Sequence, residues 1–292
     1  MSQLITALSA NKEVRIYIAN ATSLVEKARE IHDLSPVSAA AFGRTLTGTV
    51  MMGMMSKIDE EKITLQIKGT KEIKLIVAIA DTHGHVKGYI TNPLAETRLN
   101  DKGKLDVGGA IGDDGEIIVI RDLGMKEPFI GRTPLVSGEI AEDIAQYFYA
   151  SEQMPSAVGL GVLLDAGGFV KQAGGFIVQL LPEASEETIE QLESNLADIK
   201  SVTDLFEDGL DIKEIAGQIF AGLGLVELES YPIDYQCDCS REKMQVGLRS
   251  IGKLELQTLL SEDGEAELVC HFCNQKYKFE RDDLIEIIDS LS

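Results

Sequence analysis

The sequence predicts an α+β protein: a mixed N-terminal α/β domain of sheet strands and helices, a helical linker and a small C-terminal unit. Three observations carry this. Strand-like and helical patterns interleave as far as residue 181, the composition turns acidic and strand-poor after Pro182, and all four cysteines lie beyond residue 236. At 292 residues the chain is near the size at which one core splits, so two or three domains are expected.

Val14–Ala19 alternates as a strand does. Thr22 or Ser23 can cap a helix running to about His32, and Ser35-Pro36 sets a cap followed by proline at the first helical position. The next segment, Val37 to Ser56, continues as an apolar helix rich in Ala, Gly and Met. Its Met51, Met52, Met54 and Met55 suit promiscuous apolar contact and suit a core equally well. Lys62–Lys68 and Ile73–Ala80 read as strands, and Tyr89–Thr91 and Ile117–Arg121 extend the sheet. Glycine turns at His83-Gly84 and Asp114-Gly115 separate these pieces. His83 and His85 flank a turn glycine without a nearby cysteine or obvious carboxylate and are read as turn residues. Glu139 to Ser151 has helical spacing, and Val158–Leu164 and Phe169–Leu181 flank the turn Asp165-Ala166-Gly167-Gly168. Residues 1–181 are expected to form one domain.

Residues 182–230 read as an acidic linker. Ile189, Leu192 and Leu196 recur at one helical turn, and Ile212, Ile215, Ile219 and Phe220 make a second short helix, with interruptions at Gly209, Gly222 and Gly224. Helices this short have little stability in water, so their order depends on packing against a neighbour.

Residues 231–292 form the third unit, with a short helix near Leu254–Leu260, a hairpin from Ala266 to Phe279 and a last helix from Asp282 to Leu291. At about 60 residues a hydrophobic core is marginal and a metal staple is commonly needed. Cys237-Asp238-Cys239 and Cys270-His271-Phe272-Cys273 are two close pairs separated by 30 residues. Zinc takes four soft ligands in a tetrahedron, and paired cysteines on tight turns supply two each. Cys237, Cys239, Cys270 and Cys273 are therefore the expected ligands of one Zn2+, which makes this unit a small zinc-binding domain. Four unrelated buried cysteines are disfavoured, because the chain has no others and these cluster in a unit too small to stand alone. A thioredoxin-like redox pair at Cys270 and Cys273 would need a βαβ context that the region lacks. His271 is expected to face solvent, since four cysteines already complete the set, and Asp238 to be solvated.

Charge excludes some functions. Residues 182–292 carry 26 acids and 9 bases, a net of −17 out of −21 for the chain. Such a surface repels nucleic acid and anionic membranes, and no run of Lys or Arg offsets it. Met1–Ala10 lacks the features of a signal peptide, and the most apolar run, Leu75–Ala80, is far too short to span a bilayer. The expectation is a soluble cytoplasmic protein, in which four cysteines serve metal or redox chemistry instead of permanent disulfides. No enzyme is expected: four thiolates leave zinc no open position, and the chain has neither a P-loop nor a G-x-S-x-G elbow.

Zinc keeps its cysteines as thiolates, the form that oxidants attack. A sulfenic acid formed on one can resolve into a disulfide with a neighbour, which no longer binds zinc as a thiolate pair does. Loss of the metal unfolds such a small domain, and the linker can follow.

At these residues the sequence resembles the redox-regulated 33-kilodalton heat-shock chaperone family. The carrying motif is Cys237-x-Cys239, 30 residues, then Cys270-x-x-Cys273 within Cys270-His271-Phe272-Cys273-Asn274, followed by Tyr277. Gly43-Arg44-Thr45-Leu46-Thr47-Gly48, Ser151-Glu152-Gln153-Met154-Pro155-Ser156 and the run from Ala173-Gly174-Gly175 to Pro182 match as well. The resemblance implies a substrate-binding core at 1–181, a linker at 182–230 and a redox-switch domain at 231–292. It implies a reduced, zinc-bound resting state and oxidation to disulfides Cys237–Cys239 and Cys270–Cys273 with zinc release. The linker and C-terminal domain then unfold, and a form that is often a dimer holds unfolding clients without ATP. Ile212, Ile215, Ile219 and Phe220 are the candidate client-binding surface uncovered on activation. The alternative is a constitutive protein-binding module with a purely structural zinc site, in which oxidation destroys activity instead of creating it.

Overall fold

The computed structural model describes residues 2–291 and divides into two compact units, Met1–Gln236 and Cys237–Ser292. The first unit runs β1 (Gln3–Ser9), β2 (Val14–Asn20), α1 (Thr22–His32), α2 (Pro36–Gly53), β3 (Lys62–Lys68), β4 (Leu75–Ala80), β5 (His85–Ile90), α3 (Val107–Ile111), β6 (Glu116–Asp122), β7 (Phe129–Pro134), α4 (Ala141–Ser151), β8 (Ser156–Leu164) and β9 (Val170–Leu180). It continues through α5 (Glu186–Asp198), α6 (Val202–Glu207), α7 (Ile212–Ile219), β10 (Leu225–Pro232) and β11 (Asp234–Tyr235). The strands form two sheets, in the orders β10-β1-β2-β9-β8 and β11-β5-β4-β3-β6-β7. Mixed helices and sheets are what the interleaved periodicities predict.

The apolar character of α2 has a direct cause, since it packs against strands of both sheets. Of its 18 residues, 16 are buried. Gly43 comes close to Val162 of β8 in one sheet, and the Phe42 ring lies against Gly88 of β5 in the other. The three buried threonines satisfy their hydroxyls within the helix. Thr45 donates to the Ala41 carbonyl at 2.8 Å, Thr47 to Gly43 at 2.8 Å and Thr49 to Thr45 at 2.6 Å. A side chain at Gly88 would strike both the Phe42 ring and the Val77 carbonyl. Gly88→Ala is therefore expected to destabilise the first unit by about 2 kcal/mol, read as a drop in the denaturant midpoint. An unchanged midpoint would mean that Phe42 has room to yield.

Strands β1, β2 and β9 of the first sheet are buried on both faces. Strand alternation turns Leu4, Tyr17 and Ala19 into the core around α2, and Ile5, Ala7, Ile16 and Ile18 into a second core built with α5–α7. Leu192, Val202, Leu205, Phe206, Ile215 and Ile219 fill that second core. Polar contacts pin the same helices. Ser185 donates to Glu13 through its amide at 3.0 Å and its hydroxyl at 2.8 Å, and the Asn11 side chain donates to Thr188 at 2.8 Å. Asp211 and Glu214 form a capping box that starts α7.

Several elements depart from the sequence expectations. Thr22 is the first residue of α1 and not its cap, because its hydroxyl is held by the Ala173 amide at 3.0 Å. Ser35 does stand at the cap of α2 with Pro36 at the first helical position, but its hydroxyl donates to the Ala95 carbonyl. His85 opens β5 and bonds the Asp81 carboxylate at 2.9 Å, a partner that the local pattern did not suggest. The stretch read as strand-poor contains β10, which pairs antiparallel with β1. This pairing joins residues more than 200 positions apart, and no local signal encodes it. It places residues 182–230 within the first compact unit, and the division between units falls after Gln236. Strands β1 and β7 and helices α3 and α6 were likewise not anticipated.

The second unit contains α8 (Arg241–Ser250), α9 (Lys253–Glu262), β12 (Ala266–Val269), β13 (Lys276–Phe279) and α10 (Arg281–Asp289). The predicted hairpin is present, with Ala266 opposite Phe279 and Val269 opposite Lys276. The core here is small: Leu248, Leu256, Ala266, Phe279, Leu284, Ile287 and Ile288.

Candidate metal centre

Two local structures present the four cysteines. Cys237 and Cys239 lie just before α8, whose cap Ser240 accepts from the Lys243 amide. Cys270 follows β12 directly, and Cys273 sits in the turn that leads back into β13. That turn is closed by backbone bonds from the Cys270 amide to the Gln275 carbonyl at 2.9 Å and from the Asn274 amide to the Cys270 carbonyl at 2.8 Å. Asn274 takes a left-handed conformation, φ 57°, which asparagine tolerates better than most residues.

The geometry brings all four sulfurs together. They lie within 4.8 Å of one another, with Cys237 to Cys270 at 3.7 Å and Cys239 to Cys273 at 3.4 Å. All four cysteines are free, and these separations are well beyond a disulfide bond of about 2.05 Å. A tetrahedron with metal–sulfur bonds of about 2.3 Å places its sulfurs roughly 3.8 Å apart. The donor set thus fits a thiophilic metal ion in number, element and spacing.

The protons follow from the environment. Burial pushes the Cys237 thiol well above its usual range and the Cys273 thiol up to about 11. Burial also opposes ionisation of Cys239, but hydrogen bonds from Tyr277 and from the other three cysteines outweigh it and bring this thiol below its ordinary value. The Tyr277 hydroxyl lies 3.1 Å from the Cys239 sulfur and is itself pushed up to about 12, chiefly by that bond. Four adjacent sulfurs repel one another as thiolates, so full ionisation requires a cation among them.

The unit is tied together around this cluster by Arg241. Its guanidinium bonds the Asp283 carboxylate at 2.7 Å and the Lys278 carbonyl at 2.5 Å, and stacks 4.4 Å from the centre of the Phe279 ring. Lys243 pairs with Asp238 at 2.8 Å between the first two cysteines, and His271 is exposed. The candidate client residues lie in the first unit and are hidden: Ile212 is 6% exposed, Ile215 and Ile219 0%, Phe220 2%. Met51 and Met52 are core residues, while Met54 and Met55 are half-buried. Sequence reading did not anticipate the Arg241 clamp or α8, and it met Tyr277 only as part of a motif. The alternation that puts Tyr277 on the same face as the core residue Phe279 was the available signal.

Comparison with known proteins covers nearly the whole chain. The family model described as Hsp33 protein matches residues 2–280. A 33 kDa chaperonin of Alkaliphilus metalliredigens is 47% identical over 290 residues, 99% of each chain. One from Clostridium botulinum strain 657 is 46% identical over 288 residues, 99% of this chain and 97% of the other. The crystal structure of the 33 kDa chaperonin from Thermotoga maritima, a heat shock protein 33 homolog, superposes with a TM-score of 0.92 at 39% identity, covering 99% of this chain and 98% of that one. Among the described residues no helix is long and apolar enough to cross a membrane.

Proposed function

Since the chain belongs to the Hsp33 family, we propose that it is a redox-regulated, ATP-independent holdase whose switch is the four-cysteine cluster. The observation that carries this reading is the cluster itself: four free thiols at one point in a unit with a core of seven buried residues. A zinc ion bound by Cys237, Cys239, Cys270 and Cys273 would staple the two cysteine pairs and keep their sulfurs as thiolates. Oxidation couples Cys237 to Cys239 and Cys270 to Cys273, the pairing implied by the family resemblance. The thiolate donor set is then lost, and a core this small does not hold residues 237–292 folded alone.

The second half of the proposal concerns the linker. Helices α5–α7 cover the outer face of the first sheet with apolar side chains. Residues 182–230 carry 13 acids and 2 bases, so they repel themselves once undocked and stay hydrated. Undocking uncovers Ile212, Ile215, Ile219 and Phe220 together with the sheet face of the 1–181 core, a broad apolar surface for unfolded clients. The active form is a homodimer in the cytoplasm, binds neither nucleic acid nor membrane, and catalyses no reaction.

The test is aggregation of a thermally unfolding client, with this protein reduced and zinc-loaded or treated with peroxide, zinc and free thiols being followed in the same samples. Suppression by the oxidised form alone, in step with zinc loss, is expected. Equal suppression by both forms would reduce the cluster to a structural staple on a constitutive binder.

A further inference from the structure

Tyr277 is fixed more firmly than a surface tyrosine. It lies on β13 opposite Leu268 of β12, and its half-buried ring packs against the small core of the second unit. Strand alternation puts it on the same face as Phe279. From that anchored position its hydroxyl reaches the Cys239 sulfur at 3.1 Å. Main-chain amides also reach the cluster, that of Cys239 toward Cys237 and that of Gln275 toward Cys273.

We infer that Tyr277 is a positioning residue that restrains oxidation at Cys239 and so sets the threshold of the switch. The inference rests on the reading that the cluster is an oxidant-sensitive metal site. With Cys239 held as a thiolate, only the phenol has a proton to give, so Tyr277 donates and the sulfur accepts. A hydrogen bond of this kind draws lone-pair density off the sulfur, and that lone pair is the nucleophile toward an oxidant.

With hydrogen peroxide the step is as follows. The Cys239 thiolate attacks one oxygen, the S–O bond forms, the O–O bond breaks and hydroxide leaves, giving a sulfenic acid. A neighbouring thiolate then attacks that sulfur, the S–S bond forms and a second hydroxide leaves. The two thiolates lose two electrons, and peroxide gains them. In the first step the phenol proton competes for the electron pair that makes the S–O bond. Removing the hydroxyl speeds that step and leaves the ring in its packing.

The experiment compares the full-length protein with Tyr277→Phe, and with Leu268→Ala as a control that loosens the hairpin but keeps the hydroxyl. Peroxide-driven zinc release is followed with a chromogenic chelator. The sulfur-to-metal charge-transfer band is recorded on the cobalt(II)-substituted proteins. Tyr277→Phe is expected to release zinc roughly three- to tenfold faster, the order set when about half of one hydrogen bond to a charged group is felt by the attacking sulfur. Its cobalt band is expected at lower energy, because the Cys239 lone pair is no longer stabilised, while Leu268→Ala keeps the wild-type band. If the wild type releases zinc with peroxide and Tyr277→Phe matches it in rate and band position, this inference fails and the proposed function stands. If the wild type itself binds no stoichiometric zinc, both fail.

Discussion

Cys270→Ser is expected to leave the purified protein without stoichiometric zinc and to unfold residues 237–292 under reducing conditions. Cys270 is the most enclosed of the four cysteines, 3% exposed, and its sulfur lies 3.7 Å from that of Cys237. A serine there offers a harder, neutral donor in place of a thiolate, which a thiophilic ion accepts poorly. A structural zinc site is worth about 10 kcal/mol or more to a small domain at neutral pH, and seven buried side chains cannot make up that loss. Hydrogen exchange should therefore show protection lost from α8 through α10 and retained in α2 and the strands around it. The same variant should suppress client aggregation without oxidant, at least in part. Stoichiometric zinc in this variant, with the C-terminal protection intact, would sink the ligand assignment.

The second large effect is expected from Ala216→Glu. Ala216 is fully buried on α7, against the sheet face formed by Ile5, Ala7, Ile16 and Ile18. Glutamate is a good helix former, so α7 itself persists. Its carboxylate would have to lose water in an apolar seam, at a cost of roughly 4 kcal/mol. Each 1.4 kcal/mol shifts an equilibrium about tenfold, so the docked linker should give way by about three orders of magnitude. The substitution leaves Ile212, Ile215, Ile219 and Phe220 in place, and the reduced, zinc-loaded variant should hold clients almost as well as the oxidised wild type. Adding Ile215→Ser and Ile219→Ser should then lower client binding, if these side chains touch clients. A reduced Ala216→Glu protein whose linker is unprotected in hydrogen exchange, yet which holds no client, would detach client binding from linker release.

The two variants approach the same proposal from opposite ends. Cys270→Ser removes the staple and lets the linker respond, whereas Ala216→Glu frees the linker with the staple in place. Full activity in the second with zinc retained would show that the cluster acts only by controlling the linker. Activity in the first alone would place the client surface in the C-terminal unit.

Much of this was legible along the chain because the relevant physics is local. The hairpin from Ala266 to Phe279 and the turn between Cys270 and Cys273 are short-range structures. The apolar run of α2 registered because a helix packed against two sheets must be apolar nearly all round. The amphipathic spacing of Ile212, Ile215 and Ile219 marked a face that needed a partner, and the structure supplies one. Strand β10 gave no such mark. It carries two glutamates among its eight residues within an acidic run, and the β1 edge it pairs with lies at the other end of the chain.

By itself, then, the sequence determined the four-thiol donor set, the helix and hairpin signals, the charge gradient and the class of fold, since each depends on residue type and short spacing. Tertiary structure alone decided that Cys237 faces Cys270 and Cys239 faces Cys273, that Tyr277 reaches the Cys239 sulfur, and that an acidic, intrinsically weak run of helices is held against a sheet. Those are contacts across loops of about 30 to 200 residues. Closing such loops is favoured only by the cooperative packing of whole faces, which no local segment contains.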